Sequence, residues 1–502
     1  MYTTKCHATK KGKYVEITGF DEFIFKLWSE ISKTKKSIDL EDKIEKLSKE
    51  RKERFGKAIL ELKDKSKVTK DPELNNAFET FIKSQNLNSW WDYELKVREA
   101  KTDDEKEKIY KEGLEKLPDS LELYGNFASF LYTIRKDYDA AEQYYKKALE
   151  IAPDNASING NYAIFLHKVR KDYDAAEKYY KKALDLDPNN GNNNGNYALF
   201  LHEVSKDKDN AEQYYKRALE IAPDNASING NYALFLEYSL KDYDAAEKYY
   251  KRALEIEPDN ANIIGNFAFF LHEVRKGYDA AEQYYKKALE IDPDHANNNR
   301  GYAIFLKDIR KDYDAAEKHY KKALEIAPDN ASINGNYALF LKNIRKDYDA
   351  AEQHYKIALE IAPDNATTNG NYAIFLNYIR KDYNTAEKYY KKALELDPNN
   401  ANTNGNYAGF LLAQGKKATA TPYLDKGYEN CEINSILIEL WFYRYAHYLE
   451  YLEEAHKKLM ELIEQGIRSP HWSFDDNIAQ AEKDGHPNVE DLKRLAKIIT
   501  EV

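Results

Sequence analysis

Asparagine side chains recur at a fixed spacing in this 502-residue chain and are its first candidates for chemistry. A Gly-Asn pair occurs at Gly125 and Asn126 and returns every 35 residues, with one exception at Arg300 and Gly301. An asparagine side chain offers a donor and an acceptor, which suits the backbone of a peptide. Glycine costs about 1 kcal/mol relative to alanine inside a helix, so its recurrence indicates close approach by a ligand or a neighbouring helix. The asparagines of this row are Asn126, Asn161, Asn196, Asn231, Asn266, Asn336, Asn371 and Asn406.

A second row of side chains, six residues after each asparagine, changes identity from one repeat to the next. Variable residues in nearly identical surroundings predict that ligand specificity is determined there. A third row, one residue later, also varies. Across the two rows the middle of the chain is acidic, with Glu203, Glu237 and Glu273, and the stretch with Arg300, Lys307 and Lys342 is more basic. We hypothesise that the ligand is an extended segment with charges in the opposite order. The candidate groove residues are His167, His202, Glu237, His272, Lys307, Lys342 and Asn377, together with Arg300 of the irregular repeat.

The same residues also allow structural roles. The asparagines could bond one another or the neighbouring backbone as a ladder, which is compatible with ligand binding in an empty groove. His167, His202 and His272 share one phase, so a metal site is conceivable, but polar groove residues are the favoured interpretation and we expect no metal or cofactor. Arg300 either adjusts the register of its repeat or contacts an anion, and the contact is favoured.

Composition disfavours several functions. The net charge of -10 argues against a nucleic-acid partner, which needs a basic surface. No apolar run approaches the roughly 18 residues that cross a bilayer, so no membrane partner is expected. Two cysteines and the absence of a secretory signal predict a reducing, cytoplasmic location. No nucleophile elbow, phosphate-binding loop or HExxH motif occurs, so we expect no enzymatic activity.

A 35-residue repeat supplies the elements that position these residues. Nine prolines from Pro118 to Pro398 follow one another at this spacing. Around residue 160 the apolar pattern predicts a helix over about 156–169, called helix A, and a second over about 173–186, called helix B, with Asp172 as its N-cap. One helix pair cannot bury its apolar face, whereas stacked pairs can. The sequence therefore predicts an all-α fold, an α-solenoid of helix pairs with helical flanks.

Helix B ends in a signature that resembles the tetratricopeptide repeat. Ala176, Tyr180, Ala183 and Pro188 occupy its A-x3-F/Y…A…P positions, and the likeness extends over about 86–433 in nine clear repeats and one degenerate one. The resemblance implies a right-handed superhelix whose concave groove, lined by helix A, binds a protein or peptide. The usual period is 34, and we expect the extra residue to lie in the loop between the helices. Ser157 and its equivalents replace the basic residues that clamp a C-terminal carboxylate in this family, so that ligand is not predicted.

A pentatricopeptide repeat, which reads RNA, is the rival interpretation of a 35-residue period. Its repeats also close near a Pro-Asp pair but favour a methionine and a glycine late in helix B. This chain has alanine and leucine or isoleucine there. That departure, together with the negative net charge, disfavours RNA binding.

The flanks of the repeats have different patterns. Residues 434–502 predict amphipathic helices that form a C-terminal cap, in which His471 and Trp472 pack rather than bind. Residues 1–85 predict a separate N-terminal segment, with a strand near 13–20 followed by helices. A strand without a partner in the chain implies fraying, pairing with another chain, or a remnant of a larger α/β domain.

Residues 13–34 faintly resemble the end of the sirtuin-like NADase domain that precedes such repeats in some bacterial defence proteins. No catalytic motif of that domain is present. The resemblance implies that the chain is the sensing or assembly arm of a larger effector. That role, self-association through the ends or the N-terminal strand, and RNA binding are the alternatives to a protein-binding groove.

Overall fold

The computed structural model describes residues 6–10, 13–17, 90–431, 434–470 and 472–501. The chain divides into two compact units, Met1–Tyr249 and Tyr250–Val502, called the first and second unit. Near the amino terminus, Cys6–Lys10 and Lys13–Ile17 pair as antiparallel strands. The expectation that the predicted strand has no partner within the chain is therefore wrong, because the preceding residues form its partner. The N-terminal helices predicted before residue 90, and most of the stretch 13–34, lie outside the described residues.

Helix A and helix B alternate through the described repeats, which confirms the predicted α-solenoid of helix pairs. Within the described residues, the helices Trp90–Glu99 and Asp103–Lys116 precede the first complete pair. The helices A are Leu121–Phe130, Ala156–Phe165, Gly191–Phe200, Ala226–Phe235, Ala261–Phe270, Ala296–Phe305, Ala331–Phe340, Ala366–Phe375 and Ala401–Ala413. The helices B are Tyr138–Ile151, Tyr173–Leu186, Lys208–Ile221, Tyr243–Ile256, Tyr278–Ile291, Tyr313–Ile326, Tyr348–Ile361, Tyr383–Leu396 and Lys417–Glu429.

Side chains at the helix starts set these boundaries. The Ile158 N–H donates to Asn155 Oδ1 at 3.0 Å at the start of helix A, and the Ala175 N–H donates to Asp172 Oδ1 at 3.1 Å at the start of helix B. The predicted N-cap at Asp172 is therefore confirmed. Each such cap satisfies a donor that the helix itself cannot, which is worth roughly 1 kcal/mol.

The predicted apolar stripe of helix B forms the core between neighbouring pairs. Ala176, Tyr180 and Ala183 are buried, and the Tyr180 ring lies against the rings of Tyr197 and Phe200 with centroids 5.8 and 5.5 Å away. Such aromatic pairs contribute roughly 0.5–1.5 kcal/mol beyond the area they bury. The helix pairs are thus joined by the apolar spacing that the sequence shows.

The extra residue of the 35-residue period is not in a loop. Helix A widens into a π-helical turn at Leu166–Arg170, and Lys171 follows in the left-handed conformation with a φ of 57°. The last helix A belongs to the repeat without the extra residue, lacks a π-helical turn and is followed by Gly415 with a φ of 71°. The expectation of a loop insertion is therefore wrong, because the end of helix A absorbs the residue.

Left-handed lysines mark the end of each π-helical turn. This conformation costs an L-residue with a side chain roughly 1–2 kcal/mol. We expect Lys171→Gly to change the free energy of unfolding by less than about 1 kcal/mol, because relief of strain offsets the added flexibility. Lys171→Ile should lower it by about 1–2 kcal/mol. The lysines are Lys136, Lys171, Lys206, Lys241, Lys276, Lys311, Lys346 and Lys381.

Urea unfolding measures this difference. Lys178→Ile is the matched control, because Lys178 is exposed on helix B and has ordinary helical surroundings. Equal losses for the two isoleucine variants would contradict strain at Lys171.

The carboxyl-terminal residues form four further α-helices, Asn434–His447, Leu452–Glu464, Asp475–Lys483 and Val489–Thr500. The first and third of these contact the last helix A. Trp472 packs edge-on against Tyr378 with centroids 5.1 Å apart and donates to the Tyr443 hydroxyl at 3.0 Å. Trp472 therefore packs within this region, whereas His471 lies outside the described residues. Among the described helices, none combines the length and apolar character needed to cross a membrane.

Candidate functional site

The Gly-Asn pairs lie within the helices A of both units. In the first unit Asn161 is exposed, Asn196 and Asn231 are half-buried, and Asn126 donates to Glu94 Oε2 at 2.9 Å. This unit therefore keeps asparagine amides accessible to solvent on helix A.

In the second unit the same row is half-buried at Asn266, Asn336 and Asn371. Asn406 is buried and donates to Asn402 Oδ1 at 2.9 Å. Asn406 therefore has less access to a ligand than the rest of the row.

Several glycines of these pairs leave room for a neighbouring helix. A Cβ on Gly160 would overlap the side chain of Asn193 in the next helix A, and one on Gly195 would lie 3.1 Å from Ile228 Cγ1. The missing side chain therefore allows consecutive helices A to approach closely, which is one of the two roles the sequence left open.

A different row of asparagines, one residue before the glycine position, donates hydrogen bonds to the backbone. Asn159 Nδ2 donates to the carbonyls of Pro153 and Asn155 at 2.9 and 2.8 Å, which ties the turn between repeats to helix A. Sequence reasoning missed this role, although an asparagine six residues after the repeat proline was a visible signal. The same two bonds are made by Asn194, Asn229, Asn299, Asn334, Asn369 and Asn404.

The variable row six residues after the asparagines is largely packed between helices. His167, Glu237, His272 and Asn377 are each 5% exposed or less, whereas His202 is half-buried. The His167 and His272 rings pack edge-on against Phe200 and Phe305 of the next helix A, with centroids 5.2 Å apart in both pairs. The four buried residues therefore offer a ligand little surface, and ligand contact along this row stays a prediction. Burial lowers the pKa of His202 and of His272.

The row one residue later is more accessible. In the first unit Glu203 lies 3.1 Å from His167 Nε2 and also pairs with Lys168, and Tyr238 is 49% exposed. Burial raises the pKa of Glu203, but the bonds and charges of His167 and Lys168 outweigh this and lower it to about 2. This carboxylate is therefore already satisfied by its neighbours.

The second unit carries the predicted basic residues. Lys307 is half-buried and lies 3.2 Å from Asp308. Lys342 is half-buried, and among the described residues no carboxylate lies within ion-pair distance of its Nζ. Burial, with a smaller effect from the charge of Lys346, lowers the pKa of Lys342 to about 8.

Arg300 stands in the glycine place of the irregular repeat and is half-buried. Its helix, Ala296–Phe305, keeps the 35-residue offset from the helices before and after it. A register adjustment is therefore wrong as the explanation of this exception, and contact with an anion stays a prediction.

The carboxyl-terminal residues cover one end of the helix A surface in the second unit. Trp472 covers Tyr378, and Lys381 lies 3.0 Å from Asp476. This packing leaves Lys307 and Lys342 uncovered by the carboxyl-terminal residues in the described part of the second unit. Within the described ranges, no group of three or more His, Cys, Asp or Glu side chains could hold a metal ion.

The stacked helix pairs define an α-solenoid of the helical-repeat class. Family models described as tetratricopeptide repeat match residues 119–189, 193–261, 272–331, 310–366 and 378–427, which together exceed half of the chain. The chain therefore belongs to the tetratricopeptide repeat family, as its sequence signature predicted. Proteins built from these repeats are generally binding scaffolds without catalytic activity.

Three of the solved structures that match this chain are 17–21% identical to it. Pseudomonas aeruginosa PilF is 20% identical over 41% of this chain and 92% of its own, with a TM-score of 0.34. The human IFIT1 dimer with PPP-AAAA is 21% identical over 67% of this chain and 89% of its own, with a TM-score of 0.44. Yeast Tom70 is 17% identical over 75% of this chain and 95% of its own, with a TM-score of 0.39. No curated protein sequence matches the chain.

Proposed function

We propose that this chain is a non-catalytic scaffold that binds an extended protein or peptide segment along the helix A surface of its repeats. The observation that supports this most is Lys342, a half-buried cation without a carboxylate partner among the described residues. An unpaired charge that is partly removed from water destabilises a fold, so its presence favours a role in recognising a ligand.

The surroundings of Lys342 suit an acidic segment. Lys307 lies one repeat earlier and Asn336 lies on the same helix A as Lys342, so charge and amide groups occur on neighbouring elements. An acidic side chain would compensate the two lysines, and asparagine amides would bond the backbone of an extended chain. We therefore propose that the ligand places an acidic stretch on the second unit.

Reversing the two charges should weaken binding of such a ligand at least about 10-fold, because two attractive contacts become repulsive. The chain first captures ligands from host lysate, with and without nuclease, and the captured ligands are identified. The affinity of the purified ligand for the chain is then measured at low salt. The test compares the chain with a variant carrying Lys307→Glu and Lys342→Glu.

The matched control carries Lys318→Glu and Lys388→Glu, which changes the net charge equally on exposed positions of helix B. Unchanged affinity of the Lys307 and Lys342 double variant would refute the proposed acidic stretch. A ligand that nuclease removes would instead support RNA binding.

A further inference from the structure

Arginines at the ends of the π-helical turns join neighbouring helix pairs. Arg170 donates from Nε to Glu142 Oε2 at 2.6 Å, and from Nη2 to Asp139 Oδ1 at 2.6 Å and to the Tyr138 carbonyl at 3.2 Å. Its guanidinium group lies 5.5 Å from the centroid of the Phe165 ring. Two carboxylates, a carbonyl and an aromatic ring thus form a receptor for one guanidinium group, here called the arginine bridge.

The same receptor holds a cation at other interfaces between repeats. Arg345 repeats every contact, with Nε 2.6 Å from Glu317, Nη2 2.5 Å from Asp314 and the guanidinium 5.6 Å from the Phe340 centroid. The last repeat uses Lys416, whose Nζ lies 3.3 Å from Glu387 Oε2. The receptor therefore binds arginine repeatedly within this one molecule. Arg380 makes the complete arginine bridge, Arg310 makes its two carboxylate contacts and its ring contact, and Arg135 makes the two carboxylate contacts.

The first unit also contains this receptor without its arginine. Ser205 occupies the arginine position one repeat after Arg170, so the acidic pair one repeat after Asp139 and Glu142 is Asp174 and Glu177. The Glu177 side chain is 37% exposed, compared with 21% for Glu142 in the arginine bridge. The added exposure shows that the guanidinium position is open to solvent.

The carboxylate of Glu177 is held in the same way as the carboxylate of Glu142 in the arginine bridge, which leaves its Oε2 where an arginine would donate. Its Oε1 is held by Lys181 at 2.7 Å and by the Tyr197 hydroxyl at 3.3 Å, as Lys146 holds Oε1 of Glu142. In the described part of the chain, no side chain bonds Oε2, the atom that accepts from arginine in the bridge. A surface cavity of about 450 Å³ lies beside this pair and is also lined by Lys178, Lys181, Lys182 and Asp185.

The neighbouring interface adds an apolar element. Leu240 stands at the next arginine position and is 36% exposed. The first unit therefore presents an open guanidinium receptor and, one repeat later, an exposed leucine where other repeats present an arginine.

We propose that Asp174, Glu177, the Tyr173 carbonyl and the Phe200 ring, here called the Ser205 gap, form a docking site for an arginine side chain of a partner protein. Charge complementarity selects a cation, and the paired carboxylates with a ring favour the planar guanidinium group over an ammonium group. The site lies where helix A meets helix B, so it does not rest on ligand binding along helix A. It adds a second interaction surface to the scaffold.

Saturation-transfer NMR with the peptide acetyl-Gly-Arg-Gly-amide tests the proposal directly. The full chain should saturate the arginine side-chain protons, and Ser205→Arg should reduce this signal at least about fivefold, because its own guanidinium fills the receptor. Ser227→Arg is the matched control, because it adds the same charge at an exposed position on helix A of the same unit. The citrulline analogue of the peptide, which lacks the charge, should give little signal.

A second variant separates receptor chemistry from misfolding. Adding Arg345→Ser to Ser205→Arg opens the equivalent receptor in the second unit, and the arginine peptide signal should return. Equal signals for the full chain and Ser205→Arg, or no recovery on opening the Arg345 receptor, would overturn the proposal. A dimer that Ser205→Arg abolishes would assign the arginine to a second copy of the chain and contradict a separate partner.

Discussion

Gly265→Ala lowers the free energy of unfolding by about 1–3 kcal/mol, whereas Gly335→Ala raises it by up to about 1 kcal/mol. The two glycines occupy the same place in their repeats and lie in the same unit. Alanine is the better helix former at both positions, so propensity alone predicts stabilisation in each case. The opposite signs follow from what the added methyl group meets.

At Gly265 the added Cβ would overlap Asn298, with its Cγ only 2.7 Å away. Asn298 is buried and donates to the Ala261 carbonyl at 2.9 Å, so moving it would break a buried hydrogen bond. At Gly335 the nearest atom is Thr368 Oγ1 at 3.4 Å, an ordinary contact. Overpacking therefore dominates at Gly265, and the gain in helix propensity dominates at Gly335.

Urea unfolding of the two single variants and the unchanged chain measures this contrast. Repeat proteins gain stability from the interfaces between neighbouring repeats. Relative to the unchanged chain, hydrogen exchange should therefore become faster around residue 265 in Gly265→Ala but not around residue 335 in Gly335→Ala. Gly265→Ala combined with Asn298→Ala should recover part of the loss, because the overlapping amide is removed. Equal stabilisation by both single variants would contradict the proposed close approach of consecutive helices.

The repeated helices were predictable because one pattern determines them locally. Apolar spacing, Asp172 as a cap and Pro188 after helix B specify where helix B begins and ends, and helix B was predicted within the accuracy of such spacing. The π-helical turn was not predictable in the same way. A period of 35 indicates that one residue is added to the usual 34. Its position depends on whether a π-helical turn or a longer loop has the lower free energy, which the period does not reveal.

The faces of helix A were harder to predict than its existence. His167 and Asn161 lie on one helix, yet the first is buried and the second exposed, because the next helix pair covers the π-helical turn. The arginine bridge was also missed, since its parts are far apart in sequence. Arg170 follows Asp139 by 31 residues and Glu142 by 28, a spacing that acquires meaning only when the stacking of repeats is known.

Lys342→Met raises the free energy of unfolding at pH 7 by up to about 3 kcal/mol. Burial lowers the pKa of Lys342 to about 8 from its ordinary value of 10.5, so the folded chain holds the proton less tightly than the unfolded chain. Each pKa unit corresponds to about 1.4 kcal/mol, and the resulting penalty is complete below pH 8. Methionine keeps a long apolar side chain and removes the charge.

The pH dependence gives this prediction its sign. Between pH 8 and 10.5 the unfolded chain binds more protons at this residue, so the unchanged chain gains stability as the pH rises. The advantage of Lys342→Met should therefore shrink across this window and disappear near pH 10.5. Thermal or urea unfolding at several pH values measures the difference between variant and unchanged chain, which cancels the titration of other groups.

Lys307→Met is the matched control for Lys342→Met, because Lys307 already has Asp308 at 3.2 Å and should change stability by less than about 1 kcal/mol. The ligand of the second unit provides the second readout. If Lys342 recognises an acidic group, Lys342→Met should weaken that binding at least about 10-fold while the fold becomes more stable. A variant that is less stable than the unchanged chain at pH 7 would contradict a destabilising charge at Lys342. A more stable variant with unaltered ligand affinity would remove Lys342 from the proposed binding surface.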